Sequence, residues 1–268
     1  MNLNVVFTRA GVIPDFSRGH YIYWTVDPLF TAPLPYKFSV EVSQTSDFSE
    51  ILGVLPVAGD NFFTYDRTNL KQNWGLGYHY RVILIDGSGA RYSSTSINFI
   101  YTPTTQRKSA MALELLRKEF LLCRYAGVDG WLLKRKSYGR VSQMTVDPVS
   151  GVPLADEKTL DFGVGLQGGY FNPVGLSFII DRGVSDRQMD PTGLGVKQTN
   201  DLSIRLPGYP LIDERDVICL NIEGRRFNVL AKGYTYSPGT SIIVYQNATL
   251  RLIPNTDTVY NIPIPLKQ

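Results

Sequence analysis

The sequence predicts a mainly β protein: an N-terminal two-sheet sandwich, one linking amphipathic helix, and a small C-terminal barrel-like domain with long loops. Three observations carry that prediction. Strand-length runs bounded by Gly, Pro, Asn and Asp recur in both halves of the chain. Only one stretch, residues 104–126, has the period and length of a helix. The 268 residues, set against roughly 150 per domain, favour two domains over one. A composition of 43% hydrophobic and 19% charged residues excludes a disordered chain. No apolar run approaches the roughly 20 residues of a membrane helix, so no membrane partner is expected.

Residues 1–102 carry the first set of strands: His20–Val26, Tyr36–Ser43, Tyr78–Ile85 and Ser94–Ile100. Alternation is plain where Phe38, Val40 and Val42 point one way and Lys37, Ser39 and Glu41 the other. Asp86-Gly-Ser-Gly89 supplies a tight hairpin turn. With Trp24 on an early strand and Tyr78-His-Tyr-Arg-Val82 on a late one, this region resembles fibronectin type III domains. That resemblance implies an Ig-like sandwich used as a spacer or binding platform.

Residues 103–128 form the linking helix. Ala110 to Leu122 is rich in helix formers, Thr104 or Thr105 can cap its start, and Gly127 can end it in a left-handed conformation. Ala112, Leu113, Leu115, Leu116, Phe120, Leu122 and Cys123 cover one arc, while Arg107, Glu114, Arg117, Lys118 and Arg124 cover the other. Glu119 falls within the apolar arc and requires a partner if buried. A second basic cluster follows at Lys134-Arg135-Lys136 and Arg140. Charge is concentrated here: residues 103–140 have a net charge of +6, the flanking regions −1 and −2. A generally cationic nucleic-acid coat is thereby excluded. The expected partner- or DNA-facing surface is Arg107, Lys108, Arg117, Lys118, Arg124, Lys134, Arg135, Lys136 and Arg140.

Residues 129–268 read as the barrel-like domain. A hairpin is expected from Val217–Ile222 and Arg225–Ala231 about Glu223-Gly224, with two further strands at Ser241–Tyr245 and Ala248–Ile253. Residues 181–200 lack periodicity and read as an extended loop, whose Arg182, Asp186, Arg187 and Lys197 are candidates for contacts between subunits.

Motifs for chemistry fail in their contexts. Gly163-Val-Gly-Leu-Gln-Gly168 matches the dinucleotide fingerprint in letters, but Gly169-Tyr-Phe-Asn-Pro173 follows, where a helix must begin, so the glycines shape a turn. Asp213-Glu-Arg-Asp216 reads as a solvated turn entering a strand. His20 and His79 lie in sandwich strands without a nucleophile nearby, so no catalytic residue is assigned. Cys123 and Cys219 read as buried small hydrophobes, and the start of the chain lacks a secretory pattern, which together predict folding in a reducing cytosol. Without a secretory route, Asn247-Ala-Thr249 is only strand sequence. No metal site and no cofactor is expected.

Leu132–Arg140, Asp147-Pro-Val-Ser-Gly-Val-Pro153, Gly163–Pro173, Asp216–Phe227, Gln246 and Tyr260-Asn-Ile-Pro263 together resemble a group of neck proteins of tailed bacteriophages. The resemblance implies a non-enzymatic virion component made in the host cytoplasm: a neck adaptor or head-closure protein joining portal and tail as a homo-oligomeric ring. Its implied partners are the portal and other neck or tail proteins, with non-specific contact to packaged double-stranded DNA. Such relatives carry two Cys-x-x-Cys pairs around the Asp-Pro turn. Here the positions hold Ser142, Thr145, Lys158 and Asp161, so this version is expected to hold its loop without zinc. The alternatives are a tail-hub or baseplate component, or a carbohydrate- or host-surface-binding protein stacking sugars on Tyr21, Tyr23, Tyr36, Tyr65, Tyr78 and Tyr80.

Overall fold

A computed structural model describes residues 6–15, 19–57, 59, 61–67, 78–98, 106–142, 161–181, 188–189, 196–197, 201–221, 224–238 and 242–265. The chain divides into two compact units, one of residues 1–110 with 136–171, the other of 111–135 with 172–268. No described helix is long and apolar enough to cross a membrane.

The first unit is a two-sheet β-sandwich. Its strands are β1 (Phe7–Asp15), β2 (Gly19–Val26), β3 (Lys37–Ser43), β4 (Ile51–Pro56), β5 (Phe63–Asp66), β6 (His79–Ile85), β7 (Arg91–Ser93) and β8 (Ile97–Asn98). One sheet runs β1-β2-β5; the other runs β4-β3-β6-β7, with β8 also on β6. Trp24 from the first sheet meets Phe38 from the second at a ring separation of 5.4 Å, and Ile22, Val26, Val40, Val82 and Leu84 complete the buried core. Alternate residues of each strand face inward, as the period of two requires.

Two networks pair buried polar groups in this unit. Tyr80 donates its hydroxyl to Asp66 at 3.0 Å and lies 2.6 Å from His20 Nδ1. Glu41 accepts from Arg81 Nε at 3.0 Å and also bonds Arg91. The six tyrosines considered for sugar stacking do not form an exposed platform. Tyr21, Tyr78 and Tyr80 are buried, and Tyr23, Tyr36 and Tyr65 are half-buried.

Residues 136–171 belong to this unit, although the sequence places them in the C-terminal domain. The cause is aromatic. Tyr138 packs 5.5 Å from Phe38 and 5.6 Å from Tyr36, donates to the Asn61 carbonyl at 3.2 Å, and meets Phe171, which itself packs on Phe62. The glycine turn is tied to the same strip, with Lys136 N–H donating to the Gly169 carbonyl and Ser142 N–H to that of Gly165. Gly163, Gly165, Gly168 and Gly169 all have positive φ and no helix begins there, so the sequence reading of a turn holds.

The second unit is a closed barrel with a helix. Helix α1 (Gln106–Ala126) precedes β9 (Val128–Leu133), β10 (Val174–Asp181), β11 (Gln188–Met189), β12 (Val196–Lys197), β13 (Asp201–Pro207), β14 (Val217–Leu220), β15 (Arg226–Tyr236) and β16 (Ile243–Leu252). The closed order is β10-β13-β16-β15-β14-β9, while β11 and β12 form a separate two-stranded hairpin within the long loop. Leu132, Leu176, Phe178, Ile204, Leu206, Ile218, Phe227, Val229, Ala248 and Leu250 form one buried cluster, so the barrel interior is packed with side chains.

Three expectations change. The strands expected at 241–245 and 248–253 are one strand, β16. The polar Gln246 within it is fully buried, accepting from Ile212 N–H at 3.0 Å and donating to the Pro207 and Pro210 carbonyls. Gly127 is not left-handed at the end of α1. It is there for close approach, since a Cβ would lie 2.2 Å from the Cys123 carbonyl oxygen and 2.6 Å from that of Phe178. The acidic turn at 213–216 is not a solvated one, because Asp216 is buried. The proposed caps Thr104 and Thr105 lie outside the described residues.

Candidate interaction surface

Helix α1 presents its arcs as its 3.6-residue period dictates. Ala112, Leu113, Leu116 and Cys123 are buried, and Phe120 stacks on Tyr209 at 5.8 Å. Glu119, expected to need a partner, finds Arg205 in a two-pronged ion pair with Nε–Oε2 at 3.0 Å. Burial pushes the thiols of Cys123 and Cys219 up to about 11, and both are free. They are inert packing groups, as the sequence implies.

The outward arc carries the charge. Arg117, Lys118 and Arg124 are exposed. Arg117 and Lys118 share one carboxylate, Glu114, each at 3.9 Å. Pairs so long and so exposed contribute little to stability, which leaves the two cations available to a partner. Arg107 and Lys108 lie on α1, but their side chains fall outside the described residues.

Lys134 corrects the proposed surface. It is 7% exposed, at the end of β9, with its ammonium 2.9 Å from Asp216, 2.5 Å from Asp213 and 3.2 Å from the Leu211 carbonyl. Asp216 also accepts from the backbone N–H groups of Arg135 and Asp213, and Asp213 is bridged to Lys232. Burial works against the charged ammonium, but the two carboxylates outweigh it and raise the Lys134 pKa. The cluster is a joint that ties β9 to the turn before β14. Arg135 is half-buried beside it. Lys136 and Arg140 belong to the other unit, where Lys136 Nζ reaches the Gln167 carbonyl at 3.4 Å and Arg140 is exposed. Lys134 therefore does not belong to an exposed basic surface.

Of the loop candidates, Arg182, Asp186 and Arg187 lie outside the described residues. Lys197 pairs with Gln188 across the β11–β12 hairpin, and its side chain is likewise not described. Among the described residues, no group of three His, Cys, Asp or Glu side chains could hold a metal ion.

Sequence reasoning missed one feature of α1. Met111, Leu122 and Tyr125 are exposed on its outward side at 62%, 45% and 81%, with Leu115 half-buried between them. With Lys118 they recur at steps of four and three residues, which is the spacing of a coiled-coil seam. The pattern was legible, but the single apolar arc drawn from it merged Leu115 and Leu122 with the buried face.

No family model matches the chain, and no curated protein matches it. Among solved structures, the pectate lyase Pel3 from Pectobacterium carotovorum matches at 18% identity over 36% of this chain, with a TM-score of 0.26. The match spans 27% of that lyase's length, and at this TM-score it carries no argument.

Proposed function

We propose that the chain is a non-enzymatic structural subunit of a tailed-phage virion, a neck adaptor or head-closure protein that joins portal and tail as an oligomeric ring. One observation supports this reading above the others. Four of the residues within the segments that carry the phage resemblance, Lys134, Asp216, Arg226 and Gln246, are buried polar joints of the barrel. Lys134 and Asp216 lock β9 to the turn before β14. Gln246 holds the 207–212 turn through three hydrogen bonds. Arg226 lies 5.1 Å from the Tyr260 ring and donates to the carbonyls of Val259 and Ile262, tying the C-terminal segment down. Groups of this kind specify an architecture, because each must be satisfied in one arrangement only. A filled barrel fits a scaffold better than a ligand carrier.

In such a ring every contact is head-to-tail between identical copies. The exposed cations of α1 then meet an acidic partner surface. The deciding experiment is an affinity tag on this chain, imaged by electron microscopy of purified particles. Label at the portal–tail junction is expected. Label at the distal tail would replace the neck with a hub or baseplate role, and particles free of the chain would sink the virion reading.

A further inference from the structure

We propose that the outward face of α1 is a docking site for an acidic amphipathic helix, one whose apolar seam is bordered by carboxylates. The inference stands on the face itself and does not rest on the virion reading.

The apolar part of the argument comes from spacing. Met111, Leu115, Lys118, Leu122 and Tyr125 form a stripe at the 3.5-residue repeat by which helices pack on one another. The barrel already takes the other side of α1, where Leu116 lies against Gly208, Phe120 stacks on Tyr209 and Cys123 reaches the Arg205 carbonyl. A helix whose outward face is merely solvated is polar there. This one exposes a tyrosine, a methionine and Leu122, with Leu121 on the flank. Such grooved apolar stripes are read by partner helices through anchors at three- and four-residue steps.

Charge names the partner. Lys118 sits in the middle of the stripe, and Arg117 and Arg124 flank it. Glu114 is the one carboxylate on this side, since Glu119 is committed to Arg205. Among the described residues, the face therefore carries a net positive charge around an apolar line. A second copy of the same helix is a poor occupant. In-register pairing, parallel or antiparallel about position 118, sets Lys118 against Lys118, and like charges in contact are destabilising. Duplex DNA is also a poor occupant, because phosphates have no use for the Met111, Leu122 and Tyr125 side chains. A helix with leucines in its seam and glutamates beside it satisfies both features at once.

The test uses the full chain and fluorescently labelled peptides. The probe is a three-heptad peptide of ~21 residues with Leu in the seam and Glu at the flanking positions. A twin carries Lys for Glu, and a third peptide scrambles the acidic sequence. Fluorescence anisotropy is expected to show the acidic peptide binding at least about tenfold more tightly than either control, and less tightly as salt rises. The pair Leu122→Ser/Tyr125→Ser is expected to weaken it by about tenfold or more, the size of an anchor loss at an interface. The pair Lys118→Glu/Arg124→Glu, which changes only exposed groups, is expected to switch preference to the basic twin. Equal binding of acidic and scrambled peptides, or indifference to the Leu122/Tyr125 pair, overturns the proposal. So does competition by short duplex DNA with no peptide preference. Concentration-dependent self-association abolished by the same pair would also overturn it, by making a second copy the occupant.

Discussion

Helix α1 and the residue that follows strand β9 lie close in the chain and carry the same kind of charge, yet they treat it in opposite ways. On α1, Arg117, Lys118 and Arg124 stand in solvent, with one glutamate at 3.9 Å from two of them. At the end of β9, Lys134 is buried between two aspartates and a carbonyl, and Asp216 accepts two further backbone hydrogen bonds. The same side-chain chemistry is thus a recognition element in one place and a structural joint in the other. What separates them is the partner brought by the fold, because Asp213 and Asp216 lie about 80 residues further along the chain. Local charge density alone carries no information about that.

The largest expected effect breaks the buried half of this comparison. Lys134→Ala leaves the enclosed Asp216, whose pKa burial already raises against the pull of Lys134, without its counter-ion, which costs about 3–5 kcal/mol. Urea denaturation should show that loss, and Lys134→Met combined with Asp216→Leu should recover only part of it, because the Arg135 and Asp213 N–H groups then lose their acceptor.

Glu119→Ala is next in size. Arg205 keeps its packing over the Tyr245 ring at 4.0 Å but loses both ion-pair bonds. Its guanidinium is partly exposed, so water compensates in part and about 1 kcal/mol is expected. The same denaturation series measures it.

Acid separates the two units. His20 in the sandwich has its pKa lowered, chiefly by burial, with the charge of Asp66 opposing. The unfolded chain therefore takes up the proton first. The contribution is fully present above the ordinary histidine value of 6.5 and is lost as pH falls from there through the lowered folded value. In the barrel, burial pushes the Asp213 carboxyl up, but Lys134 and Lys232 outweigh it and hold its pKa below 3.8. That contribution survives until pH falls below that value. Residue-resolved NMR of thermal unfolding should show β2 losing stability between these limits while β9 holds. His20→Phe should flatten the β2 response. Simultaneous loss at both strands would contradict the assignment.

Much of the architecture was legible because it is periodic. Phe38, Val40 and Val42 alternate inward on β3 as their spacing demands, and Glu119 inside an apolar arc correctly demanded a partner. Failures have physical causes. Gln246 reads as a break because a polar residue in mid-strand usually faces water, whereas here it is the hydrogen-bonded centre of a turn. Tyr138 and Phe171 cannot be assigned to the sandwich from their neighbours in sequence, since their ring partners are Phe38 and Phe62. Gly127 looks like a left-handed cap, and only the approach of the Phe178 carbonyl reveals its use. Lys134 hides within Lys134-Arg135-Lys136, a run that in isolation reads as solvated.

The smallest expected stability change gives the sharpest test of the central claim, that the α1 cations serve recognition and the β9 lysine serves structure. The triple variant Arg117→Gln/Lys118→Gln/Arg124→Gln should unfold within about 0.5 kcal/mol of the parent chain, as surface changes do. Measured in the same buffer, its affinity for the acidic heptad peptide should fall by about tenfold or more. A triple variant that loses several kcal/mol of stability while binding the peptide undiminished would contradict the account.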